Sequence, residues 1–236
     1  MSKYQKGRIQ GNADITDHLM GEAYFLRAYQ YFAKLKQYGD FPIVTEVLPD
    51  ENEALIQASK RRPRNEVARF ILSDLDKAID LMMNKTPYGK NRLTKNVALQ
   101  FKSRVALYEA SWLKYHNGTD RVPGGPGWPG ANVDYLADFS IDIDKEVDFF
   151  LTEAMNAAKQ VADAIPLVQS SEVVNPPVGQ YNKWNLYFEM FSAVDMEPIE
   201  EILMWRSYAT EFDILEKFDL FWNFKRHNSE KMWGKQ

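Results

Sequence analysis

The chain has 236 residues and no cysteine, which excludes disulfides, thiol catalysis and cysteine-ligated metal. Histidine is nearly as scarce. His18, His116 and His227 stand far apart in the sequence and no HExxH pair occurs, so the usual zinc-hydrolase pattern is missing. A GxSxG elbow for a nucleophilic serine is also lacking. No stretch of about 18 apolar residues exists, so nothing reads as a membrane-spanning helix. The first residues, MSKYQKGRIQGN, are polar and lack the apolar centre of a secretion signal. Charge of one sign is lacking as well: a formal net charge of −4 gives no reason to expect nucleic acid or an anionic membrane as partner. The one basic cluster, Lys60-Arg61-Arg62-Pro63-Arg64, reads as a solvated loop before a helix rather than a phosphate patch.

What is present is helical periodicity. Hydrophobic residues make up 45% of the chain and aromatics 14%, enough for a well-packed core or an aromatic binding surface. In 21–42, GEAYFLRAYQYFAKLKQYGDFP, and the residues just before it, Leu19, Ala23, Leu26 and Ala33 mark one apolar stripe. Phe25, Ala28, Phe32 and Leu35 mark a second. Two stripes predict a helix packed on more than one side. Asn12 or Asp14 suits its start, Gly39 its left-handed stop near residue 38, and Pro42 keeps helix from resuming. A connector with Pro42, Pro49 and Pro63 leads to a second helix over 65–83, whose stripe is Val67, Ile71, Leu75, Ala78 and Met82. Thr94 suits the start of a third, to about 115, with Ala98, Phe101, Val105, Tyr108 and Trp112 on one face. A Gly/Pro-rich loop, 117–141, precedes a fourth over 145–164. Val147, Phe150, Ala154, Ala157 and Val161 form its stripe, and Ala154, Ala157, Ala158 and Ala162 allow close contact. The order predicts two long hairpins, first with second and third with fourth, resembling tetratricopeptide repeats without the strict repeat signature. A short helix over 181–191 and a strand or extended segment over 201–205 complete the expectation.

The same blocks resemble the SusD/RagB family: 21–42, then RNEVARFILSDLDKAIDL at 64–81, RLTKNVALQFKSRVALYEAS at 92–111, and faintly EILMWRSY at 201–208, in family order and spacing. The resemblance implies an all-α, SusD-like arrangement of tetratricopeptide-like hairpins with irregular loops and little strand. It implies a non-catalytic surface lipoprotein at the outer membrane of Gram-negative bacteria, outward-facing. Such a protein binds oligosaccharide or polysaccharide for nutrient uptake with a TonB-dependent outer-membrane transporter, and needs no cofactor. Family members are about twice this long and are anchored through an N-terminal lipid-modified cysteine. The chain therefore reads as a piece of such a protein, with 1–208 the helical domain and 209–236 a poorly packed tail.

Within that expectation the 117–141 loop is the place to look for a ligand. Gly125-Pro126-Gly127-Trp128-Pro129-Gly130 matches GxGxxG by letter, but a helix precedes it and two prolines remove N–H groups that a pyrophosphate would need. It reads instead as a stiff exposed loop that presents Trp128. Sugars offer C–H faces to aromatic rings and hydroxyls to carboxylates, so Trp128, Asp134 and Tyr135 are the candidate carbohydrate-binding residues. The competing reading folds Trp128 back over the core. Asp138-x-Ser140-x-Asp142-x-Asp144 opens like a calcium loop but has Ile143 and Phe149 where Gly and Glu are required. Asp142, Asp144 and Glu146 are better read as anions at a helix start, and no metal site is expected. Arg27 and Arg104 lie in apolar helical stretches and call for carboxylate partners, Asp74 or Asp76. Trp112 and Tyr108 read as core. The rival functions are a helical-repeat adaptor binding a protein and an all-α glycoside hydrolase, which would need two carboxylates in one cleft.

Overall fold

The structure is a computed structural model that describes residues 12–169, 190, 193 and 195–206. The expected helix over 181–191, with Trp184, Tyr187, Phe188 and Phe191, lies almost wholly outside those residues, and the tail after 208 lies outside them altogether. Five α-helices form among the described residues: α1 (Ala13–Tyr38), α2 (Asn52–Ala58), α3 (Arg64–Leu81), α4 (Lys95–Tyr115) and α5 (Ile143–Ala164). There is no strand among them. Phe41 and Arg62 make an isolated antiparallel bridge across the ends of the α1–α3 connector. Glu201 lies in a turn and 202–206 form neither helix nor strand; the Trp205 N–H donates to the Lys90 carbonyl at 3.2 Å.

Local chemistry sets the helix ends. The Asn12 side chain accepts from the N–H groups of Asp14 at 2.9 Å and Ile15 at 3.3 Å, satisfying two donors that the first turn leaves open. Asp142 does the same for α5 through Lys145 N–H at 3.2 Å, and Asp144 and Glu146 sit in that first turn. Its carboxyl is held below the ordinary carboxylate range, chiefly by its hydrogen bond to the Lys145 side chain. Thr94 stands at the start of α4, but its hydroxyl makes no capping bond. Gly39 ends α1 at φ +69° and ψ −103°, a region open to glycine alone but outside the left-handed helical basin. Helix α2 escaped the sequence reading because it buries no residue and so shows no apolar stripe.

Packing follows the two expected hairpins. Helix α1 lies on α3, α4 on α5, and α3 joins α4 to make one stack. The α3 and α5 stripes are buried throughout, and Ala154 and Ala157 fill the α4–α5 contact. Ala158 is only half-buried and Ala162 is exposed. Helix α4 packs on two faces. Phe101 and Tyr108 meet Phe25 and Phe32 of α1 at 5.2–5.6 Å between ring centroids. Leu99, Ala106, Ala110 and Leu113 enter the core on the other side. His18 is buried and accepts the Met83 N–H on Nδ1 at 3.2 Å, a structural role.

One expectation about α1 is overturned. Its Phe25–Leu35 stripe is buried, but Leu19 is 48% exposed and Leu26 55% exposed, and Ala23 and Ala33 are exposed too. The two stripes lie on opposite sides of the helix, and α3 and α4 both approach from one side. Leu26→Glu is therefore expected to shift stability by no more than about 0.5 kcal/mol, whereas Phe32→Ala costs about 3–5 kcal/mol. Urea unfolding of both variants checks this contrast.

Polar ties cross the stack. Arg27 grips Asp74, one of the two partners the sequence offered, with two bonds of 2.6 and 2.8 Å, and this holds the guanidinium above its ordinary pKa. Arg104 is exposed on α4 and needs no such partner. Asp76 instead meets Lys102 at 2.6 Å, and Glu153 of α5 meets the same ammonium at 2.5 Å. Burial works to lower the Lys102 pKa, but these two carboxylates outweigh it and the pKa lies above the ordinary lysine value.

Candidate functional site

The basic cluster before α3 is not wholly solvated. Arg64 is buried and binds Glu109 of α4 through bonds of 2.9 and 2.8 Å. Its guanidinium carbon lies 4.2 Å from the Trp112 ring centroid. This pair fixes the start of α3 against the end of α4. The backbone N–H of Arg64 donates to Asp40 Oδ1 at 2.9 Å, which brings in the residue just after α1.

Asp40 in turn holds the 117–141 loop. Trp128 Nε1 donates to Asp40 Oδ2 at 2.7 Å, bridging 88 residues of sequence. A second indole pins the loop nearer its start, where Trp112 Nε1 donates to the Arg121 carbonyl at 3.2 Å. Burial raises the Asp40 pKa above the ordinary carboxylate value, against the hydrogen bonds from Trp128 and Arg64 and the nearby charges of Arg64 and Arg61.

Trp128 is therefore not presented to solvent. It is 4% exposed, its ring centroid 5.3 Å from that of Phe139. Gly130 makes this possible: a Cβ there would stand 2.1 Å from the indole Cζ2. The expected exposed loop gives way to one folded back on its own indole, because the Asp40 carboxylate supplies a partner for the N–H and Gly130 supplies the room. The 3₁₀ turn Asp134–Leu136 then distributes its three side chains by its threefold repeat. Leu136 goes inward, Tyr135 remains 40% exposed, and Asp134 is exposed.

Between this loop and the end of α1 lies a cleft of about 400 Å³, walled by Tyr38, Asp40, Arg61, Trp112, Trp128 and Tyr135 among others. Such a volume is at the small end of ligand sites. Of the three residues picked from sequence, Trp128 and Tyr135 line the cleft and Asp134 does not. Trp128 forms its buried wall, and the accessible rings are those of Tyr135 and Tyr38. Arg64, Asp120 and Arg121 also line it. Sequence reasoning missed Tyr38 and Asp40. Their signal was proximity to the Gly39 stop, where a chain leaving a helix brings side chains to the end of the stack. Two other hollows, of about 420 and 480 Å³, contain no aromatic side chain. The described residues contain no group of three or more His, Cys, Asp or Glu placed to hold a metal. None of their helices is long and apolar enough to cross a membrane.

Comparison with known proteins gives the cleft its context. Residues 5–107 match a SusD-like family described as starch-binding and associating with the outer membrane. The chain is 27% identical over 108 residues to SusD-like protein P2 of Formosa agariphila, covering 46% of this chain and 21% of that protein. It thus spans about a fifth of that relative's length. A crystal structure of a SusD-like protein from Bacteroides fragilis is similar at 24% identity and a TM-score of 0.46, covering 70% of this chain and 24% of the other. The ordered blocks running from α1 into α4 lie within the 5–107 stretch that is similar to this SusD-like family.

Proposed function

We propose that this chain supplies the helical portion of a non-catalytic glycan-binding protein, which captures oligosaccharide for nutrient uptake at the outer membrane beside a TonB-dependent transporter. The observation that carries this reading is the aromatic cleft at the end of the hairpin stack, in a chain whose residues 5–107 match a family described as starch-binding. Tyr135 and Tyr38 offer rings to sugar C–H faces. Asp120 and the arginines offer partners to hydroxyls. Ring and polar groups together are what a pyranose requires, and a rigid wall keeps the ordering cost low. The outward stripe of α1, with Leu19 and Leu26, is the apolar surface available to a protein partner.

Isothermal titration against a panel of oligosaccharides tests the reading, with Tyr135→Ala beside the parent chain. The expected result is saturable heat without product release, weakened about tenfold or more by Tyr135→Ala, since truncating an aromatic anchor of a binding surface costs more than about 1 kcal/mol. Tyr135 is accessible, so its loss leaves the fold intact. Binding that ignores the substitution would move the site elsewhere. Release of shorter sugars would point to the hydrolase instead.

A further inference from the structure

We propose that the cleft selects an anionic saccharide, one bearing a carboxylate or a sulfate, and that Arg61 and Arg121 hold the charged group. This rests on the reading of the cleft as the sugar site. Five charged side chains line the cleft: Asp40, Arg61, Arg64, Asp120 and Arg121. Arg64 is already matched, both bonds of its fork going to Glu109. Asp40 is engaged on both oxygens by Trp128 and by the Arg64 backbone, and it is partly buried. Arg61 and Arg121 are exposed. The ion pairs formed among the described residues include neither of them, and Asp120 is the one carboxylate on the accessible wall. Counted formally, Arg61 and Arg121 balance Asp40 and Asp120, but Asp40 lies partly buried behind the indole, so the groups open to the cleft are two guanidiniums and one carboxylate.

Cations also flank the accessible rings. Lys60 Nζ lies 5.4 Å from the Tyr135 centroid, and Lys34 Nζ lies 5.6 Å from that of Tyr38. Each tyrosine that could stack on a sugar thus has an ammonium beside it. The chain as a whole carries a formal charge of −4, so this local excess runs against its overall sign. A guanidinium presents paired N–H donors that match the two oxygens of a carboxylate or sulfate. Asp120 remains as an acceptor for hydroxyls, and Lys34 and Lys60 beside the rings keep the local sum positive when both lining carboxylates are counted.

The test is titration with three probes of similar length: oligogalacturonate for carboxylate, a sulfated galactan oligosaccharide for sulfate, and a neutral galactan oligosaccharide. Each is run at low and high salt with the parent, Arg61→Gln and Arg121→Gln. At least one anionic probe is expected to bind about tenfold or more tighter than the neutral one, as a hydrogen bond to a charged group allows. That preference falls with added salt, and either substitution collapses the anionic-to-neutral ratio toward one. Both positions are exposed, so circular dichroism should show the variants folded. Neutral sugar bound as tightly as both anionic probes, with the ratio unmoved by either variant, overturns the inference and leaves glycan binding standing. Absence of binding by all three probes to folded protein removes this inference and the assignment of the cleft to sugar together. The carboxylate and sulfate arms identify which anion the arginines take.

Discussion

Glu109→Ala lowers the stability of the helical stack by about 3–5 kcal/mol, the usual cost of stripping one partner from a buried ion pair. Glu109 is fully enclosed and the Arg64 side chain is 4% exposed. The substitution leaves a buried guanidinium against Trp112 without its hydrogen-bonded carboxylate. The cost arises from that stranded charge rather than from the attraction lost. A double variant, Arg64→Met with Glu109→Leu, accordingly recovers most of the stability, because it removes the charge and fills its place. Urea unfolding followed by far-UV circular dichroism measures all three. A loss below about 1 kcal/mol for Glu109→Ala would mean that water reaches Arg64 and that the pair does not lock α3 to α4. The Arg27–Asp74 pair is a weaker case, since Arg27 is 31% exposed and solvent screens it.

Trp128→Ala is the second large effect, about 3–5 kcal/mol if the loop unfolds together with the stack. The indole is both the filling and the fastening of the 117–141 loop. Trp128→Phe separates the two, keeping most of the filling and losing the bond to Asp40, for about 1–3 kcal/mol. Hydrogen exchange shows where the loss falls, with faster exchange expected for amides of 117–141 and little change in α5. If exchange in the loop stays slow in Trp128→Ala, the loop is held by other contacts and the cleft wall does not depend on the indole. The Asp40 carboxyl adds a pH signature. Its folded pKa is raised above the unfolded value, so the folded state binds the proton more tightly between the two. Its contribution to stability is therefore greatest below the ordinary carboxylate pKa and is lost as pH rises through the folded value. The Trp128 N–H opposes that rise, so Trp128→Phe moves the folded pKa further up and widens the window.

Much of this was legible in the chain because helices announce themselves locally. The α3 and α5 stripes, a cap for α1 at Asn12 or Asp14, the anions at the start of α5, and a carboxylate of α3 for Arg27 follow from spacing and from the cost of burying a charge. What escaped depended on distance in sequence. Arg104 drew notice as a charge in an apolar run, but Glu109, five residues on, stands between Val105 and Trp112 on the inward stripe, where the same argument applied with more force. Its partner Arg64 was absorbed into a basic cluster that looked solvated. The two stripes of α1 were visible, but spacing cannot say which of them finds a neighbour. Trp128 was identified as the residue that matters in its loop, with both its presented and folded-back forms in view. The choice between them lay with an aspartate 88 positions away, beyond the reach of any local pattern.

The cleft is divided property. Tyr38, Asp40 and Arg61 come from the first hairpin and its connector, whereas Trp128 and Tyr135 come from the loop inside the second. Neither hairpin holds a complete wall. If the chain were severed in the turn between α3 and α4, each fragment would keep a helical pair and half a binding surface. Recovery of ligand recognition on mixing the fragments would then signal their correct reassembly, register included, more stringently than regained helicity can.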